Sequence, residues 1–287
     1  MIKEAIVRAL RWIVKGTPNV RITANIVETA PQNRLAGKKV IVTGGGRGLG
    51  FYIARKCRQE GASVLIAGRD ERVLQEASQR LCDCPYLVFD VRQTAGIAAF
   101  LSEADRLLGG RVDCLVNNAG ISLHEKSFAD VTEKGFDRQF DTNLKGPYFL
   151  TQTFIDYMNR EKIGQGNILF ITSERGLYCD DIPYGLTKAA INSLTTGLAR
   201  RLIAQGIRVN AIAPGVTASD MTGVDKNGNL YWPSSCAGRV FLPEEVAEVA
   251  AFLLSDVSMC ISGEIVPCNQ ANHYRCDWKS ILRKNII

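Results

Sequence analysis

Lys39-Val40-Ile41-Val42-Thr43-Gly44-Gly45-Gly46-Arg47-Gly48-Leu49-Gly50 is the stretch on which the fold turns. Its first five residues form a continuous run suited to a buried strand, and apolar residues recur at helical spacing from Leu49 to Glu60. Between them lies a turn so rich in glycine that the backbone is free to take conformations closed to other residues. A strand, a glycine turn and a helix in immediate succession predict the opening of an α/β unit.

The pattern then repeats along the chain. Predicted strands cover Ser63–Ala67, Tyr86–Phe89, Val112–Val116, Asn167–Ile171, Ile207–Ile212 and Glu264–Val266. Helices are expected over Glu71–Leu81, Thr94–Leu108, most of Glu133–Arg160, Tyr184–Gln205 and Pro243–Leu254. Continuous apolar strands alternating with helices mean an α/β domain with a doubly wound parallel sheet and helices on both faces. Thr217 to Val240 is polar and rich in Gly, Asn, Ser and Asp. It reads as a loop placed to cover a crevice at the carboxyl ends of the strands.

Glycine in the turn lets backbone approach a pyrophosphate, and the following helix offers N–H groups and the positive end of its dipole. The same turn also has a purely structural explanation. Gly44, Gly48 and Gly50 do not fit GxGxxG; they fit TGxxxGxG, with Thr43 at its head. Downstream follow Asn117-Asn118-Ala119-Gly120, then Asn143, Ser173 and Tyr184-Gly185-Leu186-Thr187-Lys188. A tyrosine and a lysine four apart on a helix are common as a surface pair. The whole set, in this order behind that turn, resembles the short-chain dehydrogenase/reductase family over residues 38 to 266, and its closest pattern is the bacterial 3-oxoacyl-[acyl-carrier-protein] reductase branch.

The resemblance implies a single-domain Rossmann-like fold and hydride transfer between a nicotinamide cofactor and a carbonyl/alcohol pair. It assigns catalysis to Asn143, Ser173, Tyr184 and Lys188. Tyr184 would be the acid/base, Ser173 would hold the substrate oxygen, and Lys188 would also hold the nicotinamide ribose. Asn143 would hold a water that links Lys188 to solvent. Cofactor contacts would come from Thr43, Gly44, Gly46, Arg47, Gly48, Leu49, Gly50, Arg69, Asp90, Val91, Asn117, Ala119, Gly120, Tyr184, Lys188, Pro214, Gly215, Val216 and Thr217. For Asp90 a plain strand-end aspartate, and for Pro214-Gly215 a plain turn, are the alternatives.

Two of these expectations rest on charge. A phenol with a pKa near about 10 is a poor proton carrier at neutral pH. A lysine ammonium one helical turn away, together with a positive nicotinamide, would lower that pKa. The second strand ends Ala67-Gly68-Arg69, where enzymes for NAD usually place an acid. Arg69 and Arg47 suit a 2′-phosphate, so NADP(H) is favoured over NAD(H). Asp70 is one residue late for the NAD role and is free to cap the helix that starts at Glu71.

Composition narrows the remaining classes. Six basic side chains against two acidic ones in residues 1 to 37 hold most of the net charge of +6, leaving too little elsewhere to indicate nucleic acid. Nine scattered cysteines, none in a CxxC pair, and only two histidines point to reduced thiols in a cytoplasmic protein with no metal site. No apolar run reaches the length of a membrane span. Ile2, Ile6, Ala9, Leu10 and Ile13 share one face of a predicted helix whose other face carries Glu4, Arg8, Arg11 and Lys15. Such a helix packs on the protein itself or on a neighbouring subunit; a membrane surface is the less favoured partner.

Residues 1–37 are thus expected as an extension, 38–270 as the domain and 271–287 as a tail, in a homo-oligomer (tetramer or dimer). The extension, a short Ser173–Tyr184 interval and the ending Val266-Pro267-Cys268-Asn269 depart from the branch's pattern. A 3-oxoacyl or other small carbonyl substrate therefore competes with a sugar or polyol, which the lid residues Asp225, Lys226, Asn227 and Asn229 favour. A dinucleotide-sensing scaffold is the non-enzymatic rival, and the complete Asn143, Ser173, Tyr184, Lys188 set argues against it.

Overall fold

Residue-by-residue alternation within the strands builds the molecule. In β1 (Lys39–Thr43), Val40 and Val42 enter one core cluster while Ile41 enters the other. The same holds in β4 (Cys114–Asn117), where Cys114 and Val116 oppose Leu115, and in β5 (Gly166–Ile171), where Leu169 and Ile171 oppose Ile168 and Phe170. Strands apolar on both faces need cover on both faces. Helices α1 (Gly48–Gln59), α2 (Glu71–Arg80) and α7 (Pro243–Leu254) supply it on one side. On the other side lie α3 (Ile97–Leu107), α5 (Gly146–Arg160) and α6 (Pro183–Leu202).

With β2 (Ser63–Gly68), β3 (Tyr86–Val88), β6 (Ile207–Pro214) and β7 (Ile265–Cys268), the sheet has seven parallel strands in the order β3-β2-β1-β4-β5-β6-β7. This is the α/β, doubly wound, Rossmann-like architecture expected. The chain winds outward in opposite directions from β1 and β4, which makes the crevice above their carboxyl ends the natural ligand site. The computed structural model of the chain describes residues 21–23 and 33–274. The amphipathic helix expected over residues 2–15 lies outside the described residues.

Several boundaries differ from expectation, each for a local reason. The strand expected from Val112 starts at Cys114, because the Val112 N–H donates to the Tyr157 hydroxyl (2.8 Å) and the Asp113 carboxylate accepts from the Lys39 N–H (2.8 Å). The last strand runs on to Cys268; it is an edge strand, where Pro267 forfeits no ladder bond. The helical stretch from Glu133 divides into α4 (Glu133–Phe140), a π-helical turn over Asp141–Lys145, and α5.

Packing also reaches upstream of β1. Leu35 is fully buried in the core. The Arg34 guanidinium pairs with the buried Glu60 carboxylate at 2.6 Å and with Glu248 at 3.2 Å, and Lys56 joins the same two acids.

Candidate active site

At the carboxyl end of β1 the chain reverses through the glycine turn. Gly44 sits at φ +64°, and a Cβ there would come within 3.0 Å of Ala119 Cα. A Cβ on Gly50 would overlap the Gly44 carbonyl oxygen and Asn118 Nδ2, and one on Gly46 would meet Val73 Cγ1 at 3.0 Å. Gly48 has open space but a φ of +52°, so it is required for conformation. Gly45 joins them: a Cβ there would lie 2.7 Å from Ile66 Cγ2.

Helix α1 then begins with no acidic residue in its first turn and no side-chain cap on its Arg47 N-cap, while Leu49 packs into the core. A glycine cradle beneath an uncapped helix N-terminus fits a pyrophosphate. The Arg47 side chain is largely exposed, 3.8 Å from Asp220 of the loop above.

The β4 end closes the cleft. Thr43 Oγ1 accepts from the N–H groups of Asn118 and Ala119 (both 3.1 Å) and donates to the Val116 carbonyl (3.2 Å). Asn118 Nδ2 donates to the carbonyls of Thr43 (2.9 Å) and Gly44 (3.2 Å), so Asn118 holds the glycine turn. The motif implies cofactor contact for Asn117, but its buried side chain donates to Thr151 Oγ1 at 3.0 Å. Asn117 ends β4 and Asn118 lies just beyond it, so the two side chains find different partners, which a motif match does not reveal.

Arg69 is exposed at the end of β2, and Asp70 caps α2 by accepting from the Val73 N–H at 3.2 Å. The Asp90 carboxylate is taken up by the Arg92 guanidinium (2.6 Å), whose hydrogen bonds hold it below the usual carboxylate range, with Arg69 adding to the effect. Val91 is buried against Gly146, with its carbonyl 2.6 Å from where a Gly146 Cβ would stand.

The four expected catalytic residues come together across three elements. Tyr184 and Lys188 lie one turn apart on α6, with Lys188 Nζ 5.6 Å from the centre of the Tyr184 ring. Lys188 Nζ donates to the Ile171 carbonyl at 3.0 Å, and burial alone pushes its pKa down to about 8. Ser173, just beyond β5, shares the cavity wall with Tyr184, and its Oγ accepts from the Arg175 N–H at 3.2 Å.

The Tyr184 phenol corrects an expectation. Its pKa is raised, because burial outweighs the Ser173 hydrogen bond and the Arg175 charge that favour the phenolate. The chain alone does not provide the lowering expected from Lys188. Asn143, in the π-helical turn, donates to the Ile121 carbonyl (2.9 Å) and accepts from the Ile121 N–H (2.8 Å). A Cβ on Gly120 would sit 3.4 Å from Asn143 Oδ1 and 3.5 Å from Lys188 Nζ, so these three residues meet behind the tyrosine.

In front of Tyr184 opens a cavity of about 980 Å³, with Ser173, Gly215 and Val216 in its wall. Pro214 ends β6 in the core, and Thr217 is held inward by its donation to the Gly215 carbonyl (2.9 Å) and its bridge to Phe241. The polar segment from Thr217 to Val240 forms the outer wall through Met221, Thr222 and Trp232 to Cys236. It is fastened rather than free: Lys226 pairs with Glu244 at 2.5 Å, Arg239 with Glu245 at 2.6 Å, and Leu230 is buried. Glu174 and Arg175 also line the cavity.

Comparison with known proteins gives a consistent result. The family profile described as enoyl-(acyl carrier protein) reductase matches residues 44–270. The chain is 34% identical over 246 residues to an L-fucose dehydrogenase of Bos taurus, covering 81% of this chain and 88% of that protein. The crystal structure of a 3-ketoacyl-(acyl-carrier-protein) reductase from Brucella melitensis complexed with NADH superposes with a TM-score of 0.76 at 29% identity, covering 83% of this chain and 99% of that one. The Pseudomonas aeruginosa RhlG/NADP active-site complex gives a TM-score of 0.75 at 29% identity, covering 85% and 100%. This chain belongs to the short-chain dehydrogenase/reductase family and is an oxidoreductase of alcohol and carbonyl groups.

Proposed function

We propose that the chain interconverts a carbonyl and its alcohol on a small hydroxylated substrate of the sugar or polyol kind, with NADP(H) preferred and Tyr184 as proton carrier. The carrying observation is Ser173 and Tyr184 together on the cavity wall, with Lys188 Nζ 5.6 Å from the Tyr184 ring centre. A nicotinamide dinucleotide, when bound, supplies or accepts the hydride. The glycine cradle and the α1 N-terminus would hold its pyrophosphate. Arg47 and Arg69 support the 2′-phosphate reading, since guanidinium groups bind phosphate bidentately.

Ser173 fixes the reacting oxygen beside Tyr184, which lowers the cost of orienting it. The raised phenol pKa keeps Tyr184 protonated at neutral pH, the form that donates to a carbonyl oxygen during reduction. Oxidation needs the phenolate. Ser173, the Arg175 charge and a positive nicotinamide favour that form. Asn143 Nδ2 donates to Thr187 Oγ1 (3.3 Å), next to Lys188, and would hold a water that links the amine to solvent.

Glu174 in the cavity wall, beside Met221, Trp232 and Phe241, supports a substrate that offers a hydroxyl as well as apolar surface. A 3-oxoacyl thioester remains the second reading, carried by the motif pattern and by the likeness to the Brucella reductase. Turnover of a panel of neutral sugars, polyols and 3-oxoacyl thioesters, each with NADP(H) and NAD(H), tests both points. The proposal expects polyhydroxylated compounds with NADP(H) to be preferred. Exclusive turnover of acyl thioesters would overturn the substrate reading, and equal use of both cofactors would overturn the NADP reading.

A further inference from the structure

Glu174 is the residue next to Ser173, it is buried, and it lines the cavity. A buried carboxylate beside the reacting centre needs a reason, because desolvating a charge is costly unless hydrogen bonds compensate. Half of the compensation is visible. Glu174 Oε2 accepts from Asn269 Nδ2 at 3.1 Å and from Asn272 Nδ2 at 2.9 Å. Asn269 is itself fixed by His273 Nδ1 at 3.0 Å, so the unusual chain ending after β7 serves to hold this carboxylate. Oε1 accepts no hydrogen bond among the described residues, and Glu174 is one of the residues that line the cavity.

The neighbouring charge does not fill that role. Arg175 binds Asp180 through Nε (2.5 Å) and Nη2 (2.6 Å), and the Asp180 carboxylate is 4% exposed. That pair is neutral as a unit and braces the segment between Ser173 and Tyr184. Glu174 therefore gives the wall beside the reacting carbon a net negative character and one open acceptor.

We propose that Glu174 is a specificity-determining residue whose Oε1 accepts a hydrogen bond from a substrate hydroxyl other than the reacting one. This rests on the sugar or polyol reading above and narrows it. The substrate is neutral and polyhydroxylated, because a sugar acid would bring a second carboxylate against Glu174. A site built to accept from a hydroxyl strongly rejects an analogue that lacks it, since the buried acceptor is then left unpaired.

The first test uses the unaltered full-length chain: a series of deoxy analogues of its best neutral substrate. Removal of one particular hydroxyl is expected to lower kcat/KM about ten- to a hundredfold, the range of a hydrogen bond to a charged group. The second compares E174Q, which keeps the size of the side chain. It should raise KM for the full substrate about tenfold with kcat within about twofold, and remove the penalty for that one deoxy analogue. Turnover of a simple secondary alcohol should stay the same, a readout that a merely structural role for Glu174 would not spare. If the unaltered chain turns over no polyhydroxylated compound, the substrate reading fails and this proposal with it. If it does turn them over, but every deoxy analogue performs equally or E174Q leaves KM unchanged, only the role of Glu174 is overturned.

Discussion

Lys188 Nζ lies 5.6 Å from the centre of the Tyr184 ring and spends a hydrogen bond on the Ile171 carbonyl at 3.0 Å. The amine thus sits over the tyrosine ring, anchored to the end of a central strand. Burial opposes charge on both residues, lowering the pKa of Lys188 to about 8 and raising that of Tyr184. The pair is held in readiness at a cost in stability.

That cost has a pH signature. Lys188 titrates near 8 in the folded chain and near its ordinary value of 10.5 when unfolded. Between these values the unfolded state binds more protons, so stability rises with pH; below the folded pKa the penalty is present in full. Tyr184 acts in the opposite sense only above its ordinary value of about 10. Urea denaturation of the cofactor-free chain from pH 7 to about 10 should show a gain of about 2–3 kcal/mol from Lys188. In Lys188→Met that part of the rise should vanish. An identical rise in the variant would refute the assignment.

Gly50→Ala should damage the cofactor cradle. Its Cβ would overlap the Gly44 carbonyl and Asn118 Nδ2, so the turn must open and release the Asn118 clamp. Overpacking of this kind costs about 1–3 kcal/mol in stability. Displaced phosphate-binding N–H groups should weaken NADPH binding by at least about tenfold in a fluorescence titration. Unchanged affinity would mean that the pyrophosphate lies elsewhere.

Arg47→Ala separates the two dinucleotides. The guanidinium is exposed and its 3.8 Å approach to Asp220 is a weak surface pair, so folding should be indifferent to its loss. Isothermal titration should show about a tenfold loss of NADPH affinity against no more than about twofold for NADH. Equal losses would remove the 2′-phosphate from the account.

The N-terminal extension reaches the lid. The Ile22 N–H donates to Asn229 Oδ1 and the Leu230 N–H to the Ile22 carbonyl, both at 3.2 Å, while the Leu230 carbonyl accepts from the Val240 N–H at 2.8 Å. Deleting residues 1–23 removes both contacts. Limited proteolysis should then cut between residues 223 and 229 severalfold faster, in proportion to the lost local stability. An unchanged cleavage rate would show that the lid is held by Lys226 and Arg239 alone.

Much of this was readable in the chain itself, for a physical reason. Runs such as KVIVT and NILFI are buried on both faces, and the glycines of the turn are fixed by φ or by overlap, so few other residues would serve there. The bracing use expected of Asn117 to Gly120 is met by Asn118, though the motif alone does not say which of two adjacent asparagines holds the glycine turn. The π-helical turn at Asp141–Lys145 is hidden in an otherwise helical pattern. Glu174 was invisible for a different reason. Its role depends on Asn269 and Asn272, nearly a hundred positions away, and their convergence is a property of the packed chain.

The central claim is that Tyr184 carries the proton while the rest of the chain binds and orients. Tyr184→Phe removes only the hydroxyl, so measuring NADPH affinity and kcat on the same preparation isolates that role. NADPH affinity should stay within about twofold while kcat falls about a hundred- to ten-thousandfold, the usual worth of a positioned acid/base. Retention of most of the turnover by Tyr184→Phe would contradict the mechanism outright.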